Sequence, residues 1–183
     1  RLSAVKGQHF YEYADGPERG RRARLLLFDR VRSAPEPAGP ALHVDVRSLE
    51  TGAVAWADLG AADCYLARVA WFPEGTRLLV QRQSRDQKRL DVLSYAVTGG
   101  EARELFSERS DTWVELHDDL YFLPERREIL WASQRSGHNH LYLYDYGGML
   151  KGAITAGDWD VIGEWNAPAV RGIDERRGRV YFM

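Results

Sequence analysis

Apolar and polar residues alternate in short runs along most of the chain, and no long helical period interrupts them. The run His140–Tyr144 shows this alternation, which has the two-residue period of a pleated strand. Runs of about four to eight residues end at Gly, Pro, Asp or Ser, as strands do. Ser136 and Gly137 separate two aromatic-rich runs and predict a hairpin turn. The pattern predicts an all-β protein.

The runs recur at a spacing of about 50 residues, which is the period of a repeat architecture. One turn pattern appears three times, at 71–75, 122–126 and 172–176, and its prolines Pro73 and Pro124 are 51 residues apart. A β-rich run follows each turn, and the first two repeats continue into a third strand, a glycine turn and a more variable fourth strand. Four strands in about 50 residues predict the blade of a β-propeller.

We therefore expect a partial β-propeller of four-stranded antiparallel blades, a fragment of a seven- or eight-bladed propeller. Residues 1–64 would hold later strands of a preceding blade and an irregular Pro/Gly stretch, residues 65–107 and 113–156 one blade each, and residues 159–183 the truncated start of another. Unpaired sheet edges predict association of copies into a homo-oligomer. The alternative is an independent β-sandwich, which does not need a 50-residue period.

Composition narrows the range of partners. The chain of 183 residues carries 25 basic and 27 acidic residues, a net charge of -2, so it has no strong field for nucleic acid. The basic run 19–24 is interpreted as a solvated face. The single cysteine, Cys64, excludes an intrachain disulfide and leaves the compartment open, periplasmic or cytoplasmic in a bacterial-type protein. No apolar run approaches the ~20 residues of a membrane span.

Few residues suggest chemistry directly. No Gly-x-Ser-x-Gly motif and no phosphate-binding glycine loop occur. His138 and His140 could share one strand face as zinc ligands do, but no third ligand is spaced suitably, so we predict a polar hairpin, with no metal and no cofactor. Asp118 and Asp119, as neighbours on a strand, should face opposite ways and not act together. Trp159, between two aspartates, predicts a turn with an indole packed between blades.

Four stretches in a fixed order carry a resemblance to a known family: residues 65–71, 81–91, 112–118 and 131–142, with 154–159 similar to a Thr-x-Gly-x-Trp signature. Together they resemble the N-terminal propeller domain of dipeptidyl peptidase IV, of the prolyl oligopeptidase family of serine peptidases. The resemblance extends from about Pro35 to Met183. Residues 1–34 match it poorly.

This resemblance implies an eight-bladed propeller above an α/β-hydrolase domain that carries a Ser-Asp-His triad. It also implies a glutamate pair that grips the free amino terminus of a peptide. Neither set matches residues of this chain, so no catalytic residue is assigned. The stretch 113–117 corresponds to a loop that faces the substrate cavity, which makes Trp113, His117 and Asp118 candidate cavity-wall residues; the alternative is a structural loop that caps a blade. Arg82 is a further candidate, if its strand end lines a central channel rather than a solvated hairpin.

The expected function is that of a non-catalytic propeller segment of a dipeptidyl peptidase IV-like serine exopeptidase. Its partners would be the peptide substrate and the hydrolase domain, and the propeller would gate and orient peptides for release of N-terminal dipeptides. Two alternatives remain at this point: a protein-interaction β-propeller without enzymatic role, and a carbohydrate-active propeller with carboxylates as acid and base.

Overall fold

The computed structural model describes residues 24–26, 43–47, 54–58, 64–98, 101–163 and 168–183. These described residues contain strands and no helix, and therefore no helix that could cross a membrane. The strands in chain order are β1 (Arg24–Leu26), β2 (His43–Arg47), β3 (Val54–Asp58), β4 (Cys64–Trp71), β5 (Arg77–Ser84), β6 (Arg89–Ala96), β7 (Arg103–Arg109), β8 (Leu120–Leu123), β9 (Glu128–Ser133), β10 (His140–Asp145), β11 (Leu150–Ala153), β12 (Val170–Asp174) and β13 (Arg179–Phe182).

The strands pair in chain order into consecutive antiparallel sheets. Strands β4, β5, β6 and β7 form one four-stranded sheet, and β8, β9, β10 and β11 form the next. Strands β12 and β13 pair as a two-stranded sheet, and β1, β2 and β3 as a three-stranded one. Of the predicted N-terminal segment 1–64, the Pro/Gly-rich stretch 33–40 and residues 19–23 of the basic run lie outside the described residues.

A similar turn joins the first two strands of three sheets. Each turn contains one residue with a positive φ: Gly75 (69°) lies one residue before the end of its turn, and Arg127 (54°) and Gly178 (62°) are the last residues of theirs. The amide of Gly75 donates to the carbonyl of Phe72 at 2.8 Å, and that of Gly178 donates to Glu175 at 3.2 Å. Glycine adopts this conformation without cost, whereas an arginine there is uncommon.

Alternation along the strands gives the β4–β7 sheet and the β8–β11 sheet two apolar faces each. One face of the β4–β7 sheet packs on the β8–β11 sheet, and we call this surface the first seam. Its buried core contains Phe72, Leu79, Leu90, Val92, Phe106, Val114, Ile129, Trp131, Tyr142, Tyr144 and Tyr146. The other face of the β8–β11 sheet packs on the β12–β13 sheet, and we call this the second seam. Its core contains Leu123, Leu130, Ala132, Leu141, Val161, Ala169 and Val170.

The burial of strand β9 explains why its sheet packs against a neighbouring sheet on each side. Every residue from Glu128 to Ser133 is buried, and successive residues enter different cores: Trp131 faces the first seam, and Leu130 the second. A strand buried on both faces needs a sheet on each side, which is the arrangement of propeller blades. The prediction of a partial all-β propeller is therefore confirmed. The proposed segment boundaries at 65–107, 113–156 and 159–183 stay a prediction.

Candidate functional site

The loop 110–119 links β7 to β8 and is anchored on the preceding sheet. The amides of Ser110 and Val114 donate to the carbonyls of Lys88 and Gln87, at 3.0 and 2.7 Å. The buried side-chain amide of Gln83, on β5, donates to the carbonyl of Val114 at 2.9 Å. These bonds place the loop beside the β5–β6 turn, at the end of the first seam where β5 finishes. The loop therefore has a defined backbone path.

Trp113 projects from this anchored loop into solvent. The residue is 59% exposed, which is unusual for an indole in a domain whose cores are built from aromatics. Its ring nitrogen donates a hydrogen bond to the Glu115 carboxylate at 2.9 Å. The bond orients the ring and leaves much of its surface accessible. Such a side chain can contact an apolar or cationic group of a ligand.

His117 turns inward from the same loop and lies against Trp131 of β9. The two ring centroids are 4.5 Å apart and the planes meet at 66°. Both imidazole nitrogens are buried, and neither has a hydrogen-bond partner among the described residues. Burial lowers the pKa of His117 from its ordinary value, and the negative charges of Glu108 and Asp119 only partly oppose this. The imidazole is therefore neutral at pH 7.

Asp118 and Asp119 lie on opposite sides of the chain, as expected from their adjacency. Asp118 is exposed and accepts a hydrogen bond at 2.6 Å from Arg68 of β4, in the preceding sheet. Asp119 is buried and accepts the backbone amides of Ala169 and Val170, each at 3.0 Å. The two carboxylates thus tie their sheet to both neighbours and do not form an acid–base pair, which confirms the prediction made from the sequence.

Arg82 lies apart from the loop residues. It alternates with Gln83 along β5, and Gln83 reaches the loop from the first-seam face. Arg82 projects from the opposite face, where it pairs with Asp91 of β6 at 2.9 Å. The structure therefore brings Trp113, His117 and Asp118 together on one loop, while Arg82 occupies a different surface. Its role in a cavity wall stays a prediction.

A partly buried carboxylate behind His117 was not found from the sequence. Glu108, at the end of β7, accepts hydrogen bonds from the indole of Trp131 and the guanidinium of Arg135, both at 2.7 Å. The Arg135 guanidinium also lies over the Tyr142 ring, 4.5 Å from its centroid. These residues join β7 to β9 and support the ring on which His117 rests. Their sequence separations of 23 and 27 residues offered no local signal.

The two histidines of the β9–β10 hairpin make structural contacts. His140 contacts the Thr155 hydroxyl and the Gly157 carbonyl, each at 3.0 Å. His138 pairs with Asp160 at 3.3 Å. Among the described residues, no group of three His, Cys, Asp or Glu side chains could hold a metal ion. The indole of Trp159 packs edge-on against His140 and stacks on Phe182, as predicted for a tryptophan between blades.

Comparison with known proteins places these features in a family. The family model for the dipeptidyl peptidase IV N-terminal region matches residues 35–183. The chain belongs to this family. The match includes the loop 110–119 and all residues that surround it, and it confirms the resemblance inferred from the sequence.

Relatives of the dipeptidyl peptidase IV family share a quarter of the aligned residues. The dipeptidyl peptidase 4 of Trichophyton equinum is 26% identical over 126 residues, which are 66% of this chain and 15% of that protein. A relative from Aspergillus clavatus, assigned to the same peptidase, is 26% identical over 155 residues, 79% of this chain and 19% of its own length. The chain therefore spans less than a fifth of the curated relatives that it matches.

Solved structures of the same family have the same fold. The dipeptidyl peptidase 4 of Porphyromonas gingivalis superposes with a TM-score of 0.67 at 21% identity, over 78% of this chain and 20% of that one. A Bacteroides ovatus protein assigned as a dipeptidyl aminopeptidase IV gives 0.66 at 24% identity, over 78% and 22%. At these identities the likeness establishes the fold alone, and it agrees with the tandem four-stranded sheets described above.

Proposed function

We propose that this chain is a non-catalytic propeller segment of a dipeptidyl peptidase IV-like serine exopeptidase. Its membership of the dipeptidyl peptidase IV N-terminal family carries the proposal. The chain has no Gly-x-Ser-x-Gly motif, so the nucleophile and its triad would belong to an α/β-hydrolase domain. The glutamate pair that grips the peptide amino terminus would also lie outside the residues described.

In this proposal, the loop 110–119 forms part of the wall of the substrate cavity. Trp113 offers an oriented, 59% exposed indole, and its loop is held by three hydrogen bonds to the β5–β6 region. An anchored side chain contacts a peptide without a large entropic cost of ordering. The Arg68 guanidinium compensates the charge of Asp118.

The propeller would also limit which molecules reach the active site. A narrow cavity admits an extended peptide and rejects a folded protein, which restricts the enzyme to peptides. Closing the site limits the access of bulk water to the acyl-transfer step. The proposed partners are thus the peptide substrate and the hydrolase domain, and the unpaired outer edges of the blades are the surfaces proposed for homo-oligomer formation.

The test uses the full-length protein and a chromogenic anilide of an Xaa-Pro dipeptide. We expect turnover by the wild type, and a roughly tenfold lower kcat/KM for Trp113→Ala, mainly through KM, because a substrate contact is lost. The matched control is Met149→Ala, which removes another large side chain, 64% exposed, from the turn between β10 and β11. We expect no change for this control.

Two results would contradict the proposal. If the full-length wild type does not hydrolyse the anilide, the peptidase assignment fails and a protein-interaction propeller becomes the better explanation. If the wild type is active but Trp113→Ala and Met149→Ala behave alike, the loop is not part of the cavity wall. The 183-residue chain by itself should give no turnover in the same assay.

A further inference from the structure

A polar cleft lies at the other end of the first seam from the loop 110–119. It opens between the turn that precedes β5 and the turn that precedes β9, and its volume is about 630 Å³. That volume is within the usual range for sites that bind small molecules. The lining residues are Glu74, Thr76, Arg77, Arg103, Arg126, Arg127, Asp145, Tyr146 and Gly147.

The lining carries an excess of positive charge. Four arginines and two carboxylates line the cleft, and Arg126 is also paired with Glu128, which lies outside the lining, at 2.6 Å. Glu74 is already paired with Arg77 at 2.7 Å. The Asp145 carboxylate accepts the amides of Gly147 and Met149, at 2.8 and 2.9 Å, and so caps its own turn. Arg103 and Arg127 have no ion-pair partner among the residues that the structure describes, so their guanidinium groups are available to an anion.

Tyr146 adds an unused hydrogen-bond donor to the cleft. The residue is only 6% exposed, and its ring packs edge-on against Phe72 at 5.1 Å and Phe122 at 5.9 Å. Its hydroxyl is buried and has no hydrogen-bond partner within the described part of the chain. The guanidinium groups of Arg77 and Arg127 lie 5.8 and 5.5 Å from the ring centroid. A buried hydroxyl without a partner is costly, and an oxyanion would satisfy it.

A comparison of the turns between repeats shows that the fold does not require an arginine at position 127. Arg127 occupies the positive-φ position that Gly178 occupies in the corresponding turn of the next sheet. Glycine meets the geometric requirement of this turn more cheaply than arginine. Backbone strain that the local structure does not need is an indication of function. Here the strained residue directs a guanidinium group toward Tyr146.

The geometry points to this cleft as a binding site for a phosphate dianion, either inorganic phosphate or the phosphate group of a small phosphomonoester. A dianion compensates the two guanidinium groups of Arg103 and Arg127, whereas a single carboxylate would compensate only one of them. Arginine and tyrosine donate hydrogen bonds to all sides of a tetrahedral oxyanion, and guanidinium groups match phosphate in a bidentate manner. This inference does not depend on the peptidase activity proposed above.

Calorimetric titration of the full-length protein with inorganic phosphate tests the inference, with ionic strength held constant by sodium chloride. We expect saturable binding with a Kd of about 1 mM or lower. Arg127→Asn should weaken it roughly tenfold or more, because asparagine tolerates the positive φ but removes the guanidinium. The matched control is Arg176→Asn, since Arg176 is 88% exposed and lies outside the cleft. This variant has the same change in charge and should bind as the wild type does.

Two further variants separate binding from folding. Tyr146→Phe removes only the unpaired hydroxyl, so it should raise the melting temperature without phosphate and weaken phosphate binding. Arg103→Gln changes an exposed residue at the start of β7 and should weaken binding without a change in melting temperature. Titration with O-phosphoserine identifies the source of the phosphate: comparable binding shows that esters are accepted, whereas binding of inorganic phosphate alone shows a site for the free anion. Either result supports the site.

The inference is overturned if phosphate shows no saturation up to roughly 10 mM. It is also overturned if Arg127→Asn and Arg176→Asn weaken binding equally, because that would indicate a general effect of charge. Binding of an oligoglutamate peptide without any binding of phosphate would equally refute a phosphate site.

Discussion

Two adjacent aspartates form contacts across the two seams on either side of the β8–β11 sheet, and they differ in their exposure to solvent. At the first seam, Asp118 pairs with Arg68 in solvent, with side chains 67% and 32% exposed. At the second seam, Asp119 is 5% exposed and accepts the backbone amides of two residues of the next sheet. Both contacts join residues about 50 positions apart, which is one repeat along the chain.

Although both contacts span one repeat of the chain, their different burial leads us to expect different strengths. An exposed ion pair gains little in water, because solvent screens it and two side chains lose freedom. When a buried carboxylate loses its hydrogen-bond donors, no water is available to replace them. The same holds for buried amides that lose their carboxylate acceptor. We therefore expect the first seam to be stabilised mainly by its large aromatic core, and the second, with a smaller core, to depend more on the buried hydrogen bonds of Asp119.

We expect the strongest destabilisation when the buried contact of Asp119 with the backbone amides of Ala169 and Val170 is removed. Asp119→Ala should lower the free energy of unfolding by about 3 kcal/mol, because two buried backbone amides lose their acceptor. Chemical denaturation of the full-length protein measures this effect. Asp119→Asn, which keeps one acceptor oxygen, should lose less than the alanine variant. A loss below about 1 kcal/mol for Asp119→Ala would contradict a stabilising role of these two hydrogen bonds.

The close approach of the sheets at the first seam gives the next prediction. Gly148 has a φ of +89°, and a Cβ atom there would overlap the backbone carbonyl of Leu105 on β7. Gly148→Ala should therefore cost about 2 kcal/mol or more, from strain and overlap together. Gly137→Ala is the matched control, since Gly137 has a φ of +96° but open space around it. Equal losses in the two variants would show that only the backbone conformation matters.

A pH-dependent effect is expected at His117. Its pKa in the folded protein is lowered by burial, so below about pH 6.5 the unfolded chain binds a proton that the folded protein resists. This contribution to stability is therefore complete above about pH 6.5 and decreases as the pH falls toward the lowered pKa. Unfolding measured across this range should show a smaller loss on acidification for His117→Phe than for the wild type.

The matched control for the histidine is His138→Phe, which changes an imidazole paired with Asp160 at the surface. This variant should keep the part of the acid sensitivity that His117 causes. Above neutral pH, His117→Phe should be as stable as the wild type or slightly more stable, because it removes two buried nitrogens that have no hydrogen-bond partner among the described residues. Identical pH profiles for the wild type and His117→Phe would contradict this prediction.

The smallest effect is expected at the exposed pair of the first seam. Asp118→Ala should change the free energy of unfolding by about 0.5 kcal/mol or less, because the pair with Arg68 is largely solvated. The same denaturation assay gives a direct comparison with Asp119→Ala. If the two adjacent substitutions cost the same, burial does not distinguish the two seams.

Local patterns were sufficient for much of the fold. Alternating residues predicted the strands of the two four-stranded sheets, since the side-chain period of a strand is visible in a few residues. Gly137 was correctly placed in a hairpin turn, where its φ is +96°. The opposed directions of Asp118 and Asp119 also followed from adjacency alone. The family was identified from four ordered stretches, and the match over residues 35–183 confirms it.

The candidate site was less predictable, because its geometry depends on contacts between repeats. The sequence placed Trp113, His117 and Asp118 on one loop but could not show that the first is exposed and the second buried. It grouped Arg82 with them, although that side chain projects from the other face of its sheet. Glu108 was missed, since its partners lie 23 and 27 residues away.

The strand pattern, the 50-residue period and the family could be predicted from the chain alone, because each is recorded in neighbouring residues or in their regular spacing. The folded chain was needed to show which carboxylate accepts buried backbone amides, which histidine is neutral and which arginines converge on Tyr146. Burial, pKa and hydrogen-bond partners depend on which sheets are stacked together. Stacking brings together residues about 50 positions apart, for which no local rule exists.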